Sequence, residues 1–239
     1  MTLDAQAIEK IQGMAIAAAE KAVINDGNDT FLVSTDGVTR FVKDDSPRTI
    51  YLHTLDGLVG LIQGESLMAP VSFLNVVGPD KVLVYGVIDK FGNRPLLAEV
   101  TPFTETMQFG NFFDQEKFQI LMRSTFVQNN HRDIVIEFSG KLEEQDASSY
   151  SDDGLAQSAV VKSGIASKAS ANVPSPVMLR PYRTFIEIEQ PESEFILRIR
   201  KGAQLALFEA DGNAWKNEAI VNVQKYLVDK LGTSALVVG

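Results

Sequence analysis

Two arginines and a tyrosine flank a proline in the segment Arg180-Pro181-Tyr182-Arg183. An arginine side chain binds a phosphate or a carboxylate through two parallel hydrogen bonds, and a tyrosine ring offers a surface on which a planar group can stack. This combination of residue types is typical of a site for a nucleotide or another phosphorylated ligand. The same side chains could instead bind the acidic pair Asp152-Asp153 within the fold, and the sequence leaves both interpretations open.

The segment that follows, residues 183–200, predicts a β-hairpin with two chemically different faces. Strand alternation collects its isoleucine, leucine and phenylalanine side chains on one face and its charged side chains on the other. The charged face is either a solvated surface of ion pairs, each contributing about 0–1 kcal/mol, or a groove that binds an anion through its arginines. With a tryptophan that could line a pocket, these segments supply the candidate ligand-binding residues, which are Arg180, Tyr182, Arg183, Glu187, Arg198, Arg200 and Trp215.

Carboxylates in the same region support an alternative function, that of a divalent-metal nuclease. Enzymes of this kind hold the metal through carboxylate oxygens and use it to activate a water molecule. Glu187 and Glu189 would share one face of the predicted strand. The leading interpretation requires no metal and no cofactor, whereas the metal ligands of the alternative would be Glu187, Glu189, Glu209 and Asp211.

The composition excludes several kinds of chemistry. The 239 residues include no Cys and two His, His53 and His131, so disulfides, thiol nucleophiles and cysteine-type zinc sites are excluded. Gly-x-Ser-x-Gly, Walker and Gly-x-Gly-x-x-Gly motifs are absent from the sequence, and no catalytic residue is predicted. The net charge of −9 disfavours a protein that mainly binds nucleic acid phosphates. Residues 1–120 carry 9 basic and 16 acidic side chains and residues 121–239 carry 13 and 15, so an anion site is expected in the second half.

Hydrophobic periodicity predicts three main helices around a sheet. Apolar residues recur at spacings of three and four, and polar residues or a glycine end each run. These helices occupy residues 4–24, 114–127 and 213–231. The predicted fold is therefore a single α+β domain over residues 1–239, with a mainly antiparallel twisted β-sheet and an N-terminal, a central and a C-terminal helix.

Short β-branched runs separated by turn residues predict the strands. Asp36-Gly37 suits the tight turn of a first hairpin, and alternation of apolar and polar residues predicts a strand at 133–142. Polar or small-residue segments at 143–156 and 163–176 are predicted loop excursions, and residues 1–29 an N-terminal helix segment. The other predicted elements are a short helix capped by Thr54 or Asp56 and strands at 49–53, 71–77, 81–88, 95–100, 177–190, 194–200 and 204–209.

The N-terminal helix carries a narrow, alanine-rich stripe. Ile8, Ile11, Ala15, Ala18 and Ala22 recur on one face, with Met14 beside them. This pattern is typical of a helix that packs closely against another helix, and we interpret it as core packing, with a surface for a partner as the alternative. Because neither a basic region nor a long apolar run precedes the stripe, we expect a cytoplasmic protein.

A series of short segments in the second half of the chain resembles one known family. The similar segments are Ser151-Asp152-Asp153-Gly154-Leu155-Ala156-Gln157, Leu179-Arg180-Pro181-Tyr182-Arg183-Thr184-Phe185, Glu187, Gln190-Pro191, Ser193, Phe195, Arg198, Glu209-Ala210-Asp211-Gly212 and Trp215. In this order they resemble the YfdQ-like family of phage and prophage proteins, whose function is unassigned. The resemblance covers mainly residues 82–230.

The resemblance implies phage biology and supplies no established catalytic residues. Proteins of this family tend to be encoded among early phage genes, near recombination and single-strand-binding functions. We therefore expect a non-enzymatic, homo-oligomeric binding module in the cytoplasm of the host cell, acting in host takeover or counter-defence. Its ligand would be a small anion such as a nucleotide signal, or its partner a host protein. The alternative is a divalent-metal nuclease or a single-strand DNA recombination accessory.

Overall fold

The chain divides into two compact units, residues 1–46 and residues 47–239. The computed structural model describes most of both, and none of the helices in the described ranges combines the length and the hydropathy that crossing a bilayer requires. The described residues are 4–20, 23–26, 29–34, 37–41, 47–64, 70–89, 92–142, 151–152, 157–162 and 168–239.

The described residues of the smaller unit form a helix followed by three strands. Asp4 caps helix α1 (Ala5–Glu20), because its side chain accepts a hydrogen bond from the backbone N–H of Ala7 at 2.8 Å. Strands β1 (Val23–Asp26), β2 (Asp29–Ser34) and β3 (Gly37–Phe41) then pair antiparallel in chain order. The N-terminal helix and the hairpin are confirmed. The predicted extension of the helix to residue 24 is wrong, since residues 23 and 24 pair with strand β2.

The larger unit contains four helices and three sheets in its described residues. Its helices are α2 (Leu55–Gln63), α3 (Gln115–Ser124), α4 (Asn130–Lys141) and α5 (Ala214–Leu231). Its strands are β4 (Ile50–Leu52), β5 (Val71–Gly78), β6 (Lys81–Gly86), β7 (Leu96–Val100), β8 (Ser151–Asp152), β9 (Gln157–Lys162), β10 (Lys168–Asn172), β11 (Val177–Leu179), β12 (Ser193–Arg200), β13 (Gln204–Glu209) and β14 (Leu236–Val238).

The sheets of the larger unit are mainly antiparallel. Their strand orders among the described residues are β14-β5-β6-β7-β4, β11-β12-β13 and β10-β9-β8. The pairs β14–β5 and β4–β7 are parallel, and both involve the edge strands of the five-stranded sheet. The predicted α+β class, with a mainly antiparallel sheet and an N-terminal, a central and a C-terminal helix, is confirmed. The single-domain boundary at residues 1–239 stays a prediction.

Apolar side chains form two cores in the described part of the larger unit. One combines strands β11–β13 with helices α3 and α4 and contains Phe118 and Phe195. The other combines the five-stranded sheet with helices α2 and α5 and contains Leu58 and Leu227. The segment 180–192, between β11 and β12, contributes Phe185 to the second core, while its Pro181 pairs with Phe126 of the first. This irregular segment therefore lies between the two cores.

Helix α4 replaces the strand predicted at 133–142. The Asn129 side chain caps the helix by accepting a hydrogen bond from the backbone N–H of Arg132 at 2.7 Å. Val135, Phe138 and Leu142 are buried at spacings of three and four, which is the helical period. The helix cap and the helical spacing of the buried residues therefore outweigh the short alternation of apolar and polar residues, and the strand prediction is wrong.

The predicted hairpin at 183–200 is also wrong in its first half. Strand β11 ends at Leu179, and β12 begins at Ser193 and pairs with β11 and β13. Between them the buried side chain of Gln190 accepts a hydrogen bond from the backbone N–H of Arg183 at 3.1 Å and donates one to the carbonyl of Phe185 at 2.9 Å. These side-chain bonds satisfy backbone groups that a hairpin ladder would otherwise pair.

The segment predicted as a loop at 163–176 contains strand β10, which pairs with β9 across Ala171 and Ala159. The loop predicted at 143–156 contains the short strand β8. Residues 143–150, 153–156 and 163–167 of these two predictions lie outside the described residues.

Candidate functional site

Arg183 lies inside the protein, although it was predicted to face a ligand. Only 3% of its side chain is exposed. One terminal nitrogen, Nη1, donates to Oε1 of Glu209 at 2.8 Å, and the other, Nη2, donates to the hydroxyl of Ser193. That hydroxyl in turn donates to Oδ2 of Asp211 at 2.6 Å. The charge of Arg183 is thus balanced by two carboxylates within the fold.

The planar end of Arg183 stacks on a tryptophan. Its Cζ lies 3.8 Å from the centre of the Trp215 ring and 5.9 Å from that of Phe195. A guanidinium over an aromatic face is stabilised by the ring quadrupole, and more strongly where water is excluded. We call Arg183, Ser193, Glu209, Asp211 and Trp215 the buried arginine cluster.

Burial and the neighbouring charges shift the pKa values of this cluster in opposite directions. Burial lowers the pKa of Arg183 to about 10, against the raising effect of Glu209 and Asp211, so the guanidinium remains charged at neutral pH. Burial would raise the pKa of Asp211, but hydrogen bonds from Ser193 and from the backbone N–H of Asn213, together with Arg183, hold it below its ordinary value. The cluster therefore combines a buried guanidinium with two partly accessible carboxylates that compensate its charge.

The pairing inside the cluster is incomplete. Nε of Arg183 and Nε1 of Trp215 are buried donors without a hydrogen-bond partner in the described part of the chain. Stacking, rather than hydrogen bonding at these two atoms, holds the guanidinium and the indole together. Because Arg183 is enclosed and already paired, its position favours a structural role over direct contact with a ligand.

Strand β12 separates this cluster from the other predicted arginines. Ser193 and Phe195 point to the buried side, whereas Arg198 and Arg200 point to the opposite side, as strand alternation requires. In the register with β13, Arg198 is opposite Ala206 and Ile196 is opposite Phe208. The structure therefore brings Arg183 and Trp215 into contact, and it places Arg198 and Arg200 on the opposite face of β12.

Two phenylalanines join the arginines on the outer side of β12 and β13. The Cζ of Arg200 lies 3.4 Å from the centre of the Phe112 ring, and that ring meets Phe208 edge to face with a centroid separation of 6.1 Å. Arg200 is exposed, and Phe208 keeps 36% of its surface accessible. We call Phe112, Ile196, Arg198, Arg200 and Phe208 the aromatic–arginine face.

The segment before helix α3 positions Phe112. Phe113 exchanges two backbone hydrogen bonds of 2.9 Å with Leu205 of strand β13, so the chain runs beside this strand. Gly110 has a positive φ of 80° and donates to the carbonyl of Leu207. Phe113 packs against the core, and alternation turns the preceding Phe112 to the outer face.

The remaining predicted ligand-binding residues lie elsewhere. Arg180 pairs with Glu189 at 2.7 Å and with Glu192 at 3.4 Å. Tyr182 is 37% exposed, and its backbone N–H donates to the carbonyl of Thr125. Neither residue has a described contact with the aromatic–arginine face, so the Arg180-Pro181-Tyr182-Arg183 segment does not act as one unit.

Glu187 stabilises a helix terminus. Its Oε1 accepts hydrogen bonds from the backbone N–H groups of Leu55 at 2.7 Å and Asp56 at 3.4 Å, in the first turn of α2. A carboxylate at this position satisfies unpaired donors and complements the helix dipole. The hydroxyl of Tyr226 in α5 donates to Asp56. Burial first, and then that hydrogen bond, raise the pKa of Tyr226 to about 12. Glu187 thus links the segment 180–192 to α2.

The four carboxylates of the nuclease alternative do not form a group. Glu187 contacts helix α2, Glu189 contacts Arg180, and Glu209 and Asp211 belong to the buried arginine cluster. Within the described part of the chain, no three His, Asp or Glu side chains come close enough together to hold a metal ion. These residues therefore give the nuclease interpretation no structural support.

Three residues of the aromatic–arginine face were missed from the sequence, Phe112, Ile196 and Phe208. Phe208 could have been found, because its strand was predicted correctly and alternation places it on the face opposite Leu205 and Leu207. Phe112 could not, since its place depends on the pairing of Phe113 with β13, a contact between residues 92 positions apart. Ser193 was likewise hidden, because its role depends on the side chain of Arg183.

No family model, no curated protein and no solved structure matches this chain. The resemblance to the YfdQ-like family therefore stays a prediction, and the site is interpreted from its own geometry.

Proposed function

We propose that this protein is a non-enzymatic binding module that captures a small anionic ligand of the nucleotide type on its aromatic–arginine face. The observation that carries the proposal is the stacking of exposed Arg200 on Phe112, beside Phe208 and on the same side of β12 as Arg198. This arrangement combines positive charge with planar surfaces in a solvent-facing position.

The chemistry of a nucleotide matches this combination. Phosphates accept hydrogen bonds from arginine forks, and bases stack on aromatic rings or on guanidinium planes. Stacking contributes about 1–3 kcal/mol per base where it has been measured by alanine substitution. The net charge of −9 argues against a long polyanion as the ligand, and therefore favours a compact one that contacts only this face.

The proposed setting is the cytoplasm of an infected or lysogenic host cell. The similarity of segments between residues 151 and 215 to the YfdQ-like family supports a phage or prophage origin. A protein that sequesters a nucleotide signal would act in host takeover or counter-defence without catalysis. Sequestration requires affinity and abundance rather than a reacting group, which agrees with the lack of a catalytic motif in the sequence.

A ligand panel tests this proposal. We would measure the melting temperature of the full chain with a nucleoside triphosphate, a cyclic mononucleotide, a cyclic dinucleotide, inorganic phosphate and oligothymidylate. At least one nucleotide should raise the melting temperature more than phosphate does, because binding to the native state stabilises it. Arg200→Ala should weaken the binding of that nucleotide about tenfold or more, which is the loss expected for one charge-assisted hydrogen bond.

Arg94→Ala is the matched control. Arg94 is also an exposed arginine over a phenylalanine ring, with its Cζ 5.0 Å from the centre of Phe73, but it lies on the five-stranded sheet. The Arg94→Ala variant should leave ligand binding unchanged. The proposal is overturned if no nucleotide shifts the melting temperature, or if both variants lose the response equally. Tighter binding of oligothymidylate than of every mononucleotide would instead indicate a single-strand DNA accessory.

A further inference from the structure

Helix α1 exposes large apolar side chains along one face. Ile8, Ile11 and Met14 keep 47%, 55% and 66% of their surfaces accessible. Ala15 and Ala18 continue the same face and are also exposed, whereas Ala22, the last residue of the predicted stripe, lies outside the described residues. The stripe was predicted to be core packing, but the described residues do not bury it. A helix with such a face usually buries it against another element.

The order of large and small residues along the stripe indicates which surface packs against it. In a seven-residue repeat Ile8 and Ala15 take one core position and Ile11 and Ala18 take the other, while Met14 takes a position that flanks them. At the core positions the large residues therefore come first and the small ones last. When two such helices run antiparallel, Ile8 meets Ala18 of the other helix and Ile11 meets Ala15. Every layer then contains one large and one small residue, which gives a constant spacing between the helices.

We propose that α1 is the interface of a homodimer, in which it pairs antiparallel with α1 of a second copy of this chain. Parallel pairing would place isoleucine on isoleucine at one end and alanine on alanine at the other, so the helices would splay and leave a gap. Glu9 and Lys10 lie outside the repeat positions that form the seam, so no like charges meet there.

The length of α1 limits the strength of this dimer. Its 16 residues span about 24 Å at 1.5 Å per residue. A pair of helices of this length buries less than the roughly 800 Å² per partner of a standard interface. We therefore expect a reversible dimer that dissociates on dilution.

Sedimentation equilibrium of the full chain tests the interface with two variants that differ only in position. Ala15→Lys places a charge in the seam and should weaken self-association at least tenfold. Ala17→Lys places the same charge on an exposed residue of the same helix that lies outside the core positions of the repeat, and should leave association unchanged. Circular dichroism establishes that both variants keep their helix content. A wild-type monomer at all concentrations, or equal effects of the two variants, overturns the proposal.

The absence of Cys from the sequence allows a direct test of orientation. Antiparallel pairing predicts that Ile11→Cys and Ala15→Cys chains cross-link when mixed and oxidised, while each alone cross-links poorly. Parallel pairing predicts the reverse, and that result contradicts the proposed register. Because the nucleotide proposal concerns a different surface, Ala15→Lys should retain the ligand response, so the two proposals fail separately.

Discussion

Two arginines of the same sheet region have opposite surroundings. Arg183 is enclosed, pairs with Glu209 at 2.8 Å and stacks on Trp215, whereas Arg200 is exposed and stacks on Phe112 at the surface. Strand β12 lies between them, since Ser193 faces the first arginine and Arg200 is on the other side of the strand. The same residue type therefore belongs to the interior of the fold in one place and to a solvent-facing surface in the other.

The difference follows from what solvent does to a charge. A buried guanidinium loses its hydration and persists only if neighbouring groups replace it, which is why carboxylates and a hydroxyl surround Arg183. An exposed guanidinium keeps its hydration and can exchange water for a ligand at low cost. Residue type alone predicts an anion site in both places, whereas burial separates a structural cluster from a candidate site.

The largest effect is expected from removal of the buried charge. Arg183→Met should reduce the free energy of unfolding by about 3 kcal/mol, at the lower end of the range for breaking a buried ion pair. The lower end applies because the Glu209 side chain is 34% exposed, so water solvates part of the charge left behind. Urea unfolding followed by the fluorescence of Trp215, the single tryptophan of the chain, measures this loss.

A second substitution distinguishes the loss of the ion pair from the loss of side-chain packing. Adding Glu209→Gln to Arg183→Met removes the carboxylate that Arg183 pairs with directly and should recover part of the stability, because only Asp211, which keeps its hydrogen bond from Ser193, is then left without the opposite charge. If the double variant is as unstable as the sum of the two single variants, the ion pair is not what stabilises the cluster.

A smaller effect is expected from the hydroxyl that links the cluster. Ser193→Ala removes the group that accepts from Arg183 and donates to Asp211, and should destabilise the protein by about 1–3 kcal/mol, the range for leaving buried partners unsatisfied. Ser124→Ala, at an exposed helix end, should change stability by no more than about 0.5 kcal/mol. Equal urea midpoints for the two variants would contradict the role of Ser193.

Acid titration should give the smallest effect. Because the pKa of Asp211 in the folded state lies below its ordinary value of 3.8, the unfolded chain binds more protons near that pH. Its stabilising contribution is therefore present above this value and is lost as the pH falls through the folded pKa. In urea unfolding from about pH 5 to about pH 3, Asp211→Asn should show a shallower fall in stability than the wild type.

Glu137→Gln is the control for this titration. The pKa of Glu137 is also lowered, by its hydrogen bond and charge interaction with Lys141, but this pair is exposed. At about 0.5 M salt, where the screening length is only a few ångströms, its contribution should disappear. A slope that changes as much in Glu137→Gln as in Asp211→Asn would show that the buried arginine cluster is not the source of the acid sensitivity.

The sequence predicted well those elements whose signals are local. Helix α5 was found from its apolar period and from the glycine that ends it, Gly232, and α3 from its cap, Asp114, which accepts from the backbone N–H of Lys117 at 2.8 Å. The short helix α2 was predicted with Thr54 or Asp56 as its cap, and the structure shows that Thr54 is the cap. In each case the terminating or capping residue acts on its own neighbours.

The failures arose where distant residues decide the structure. Residues 183–192 carry a strand-like pattern, but Ile186 is 70% exposed and the chain is held by Gln190 instead of a ladder. The charged residues of this segment were assigned to one face because a hairpin was assumed. Because the structure has no hairpin here, Glu187 contacts α2 and Arg183 lies in the interior. Neither position could be predicted from the local sequence.

The central claim is that Arg183 maintains the fold while Arg200 binds the ligand, and one paired measurement tests it. The free energy of unfolding and the nucleotide-induced shift in melting temperature would be determined for Arg200→Ala beside the wild type. We predict stability within about 0.5 kcal/mol of the wild type, as for a surface substitution, together with loss of the ligand response. A variant that is as unstable as Arg183→Met, or that responds to the nucleotide as the wild type does, would contradict the account.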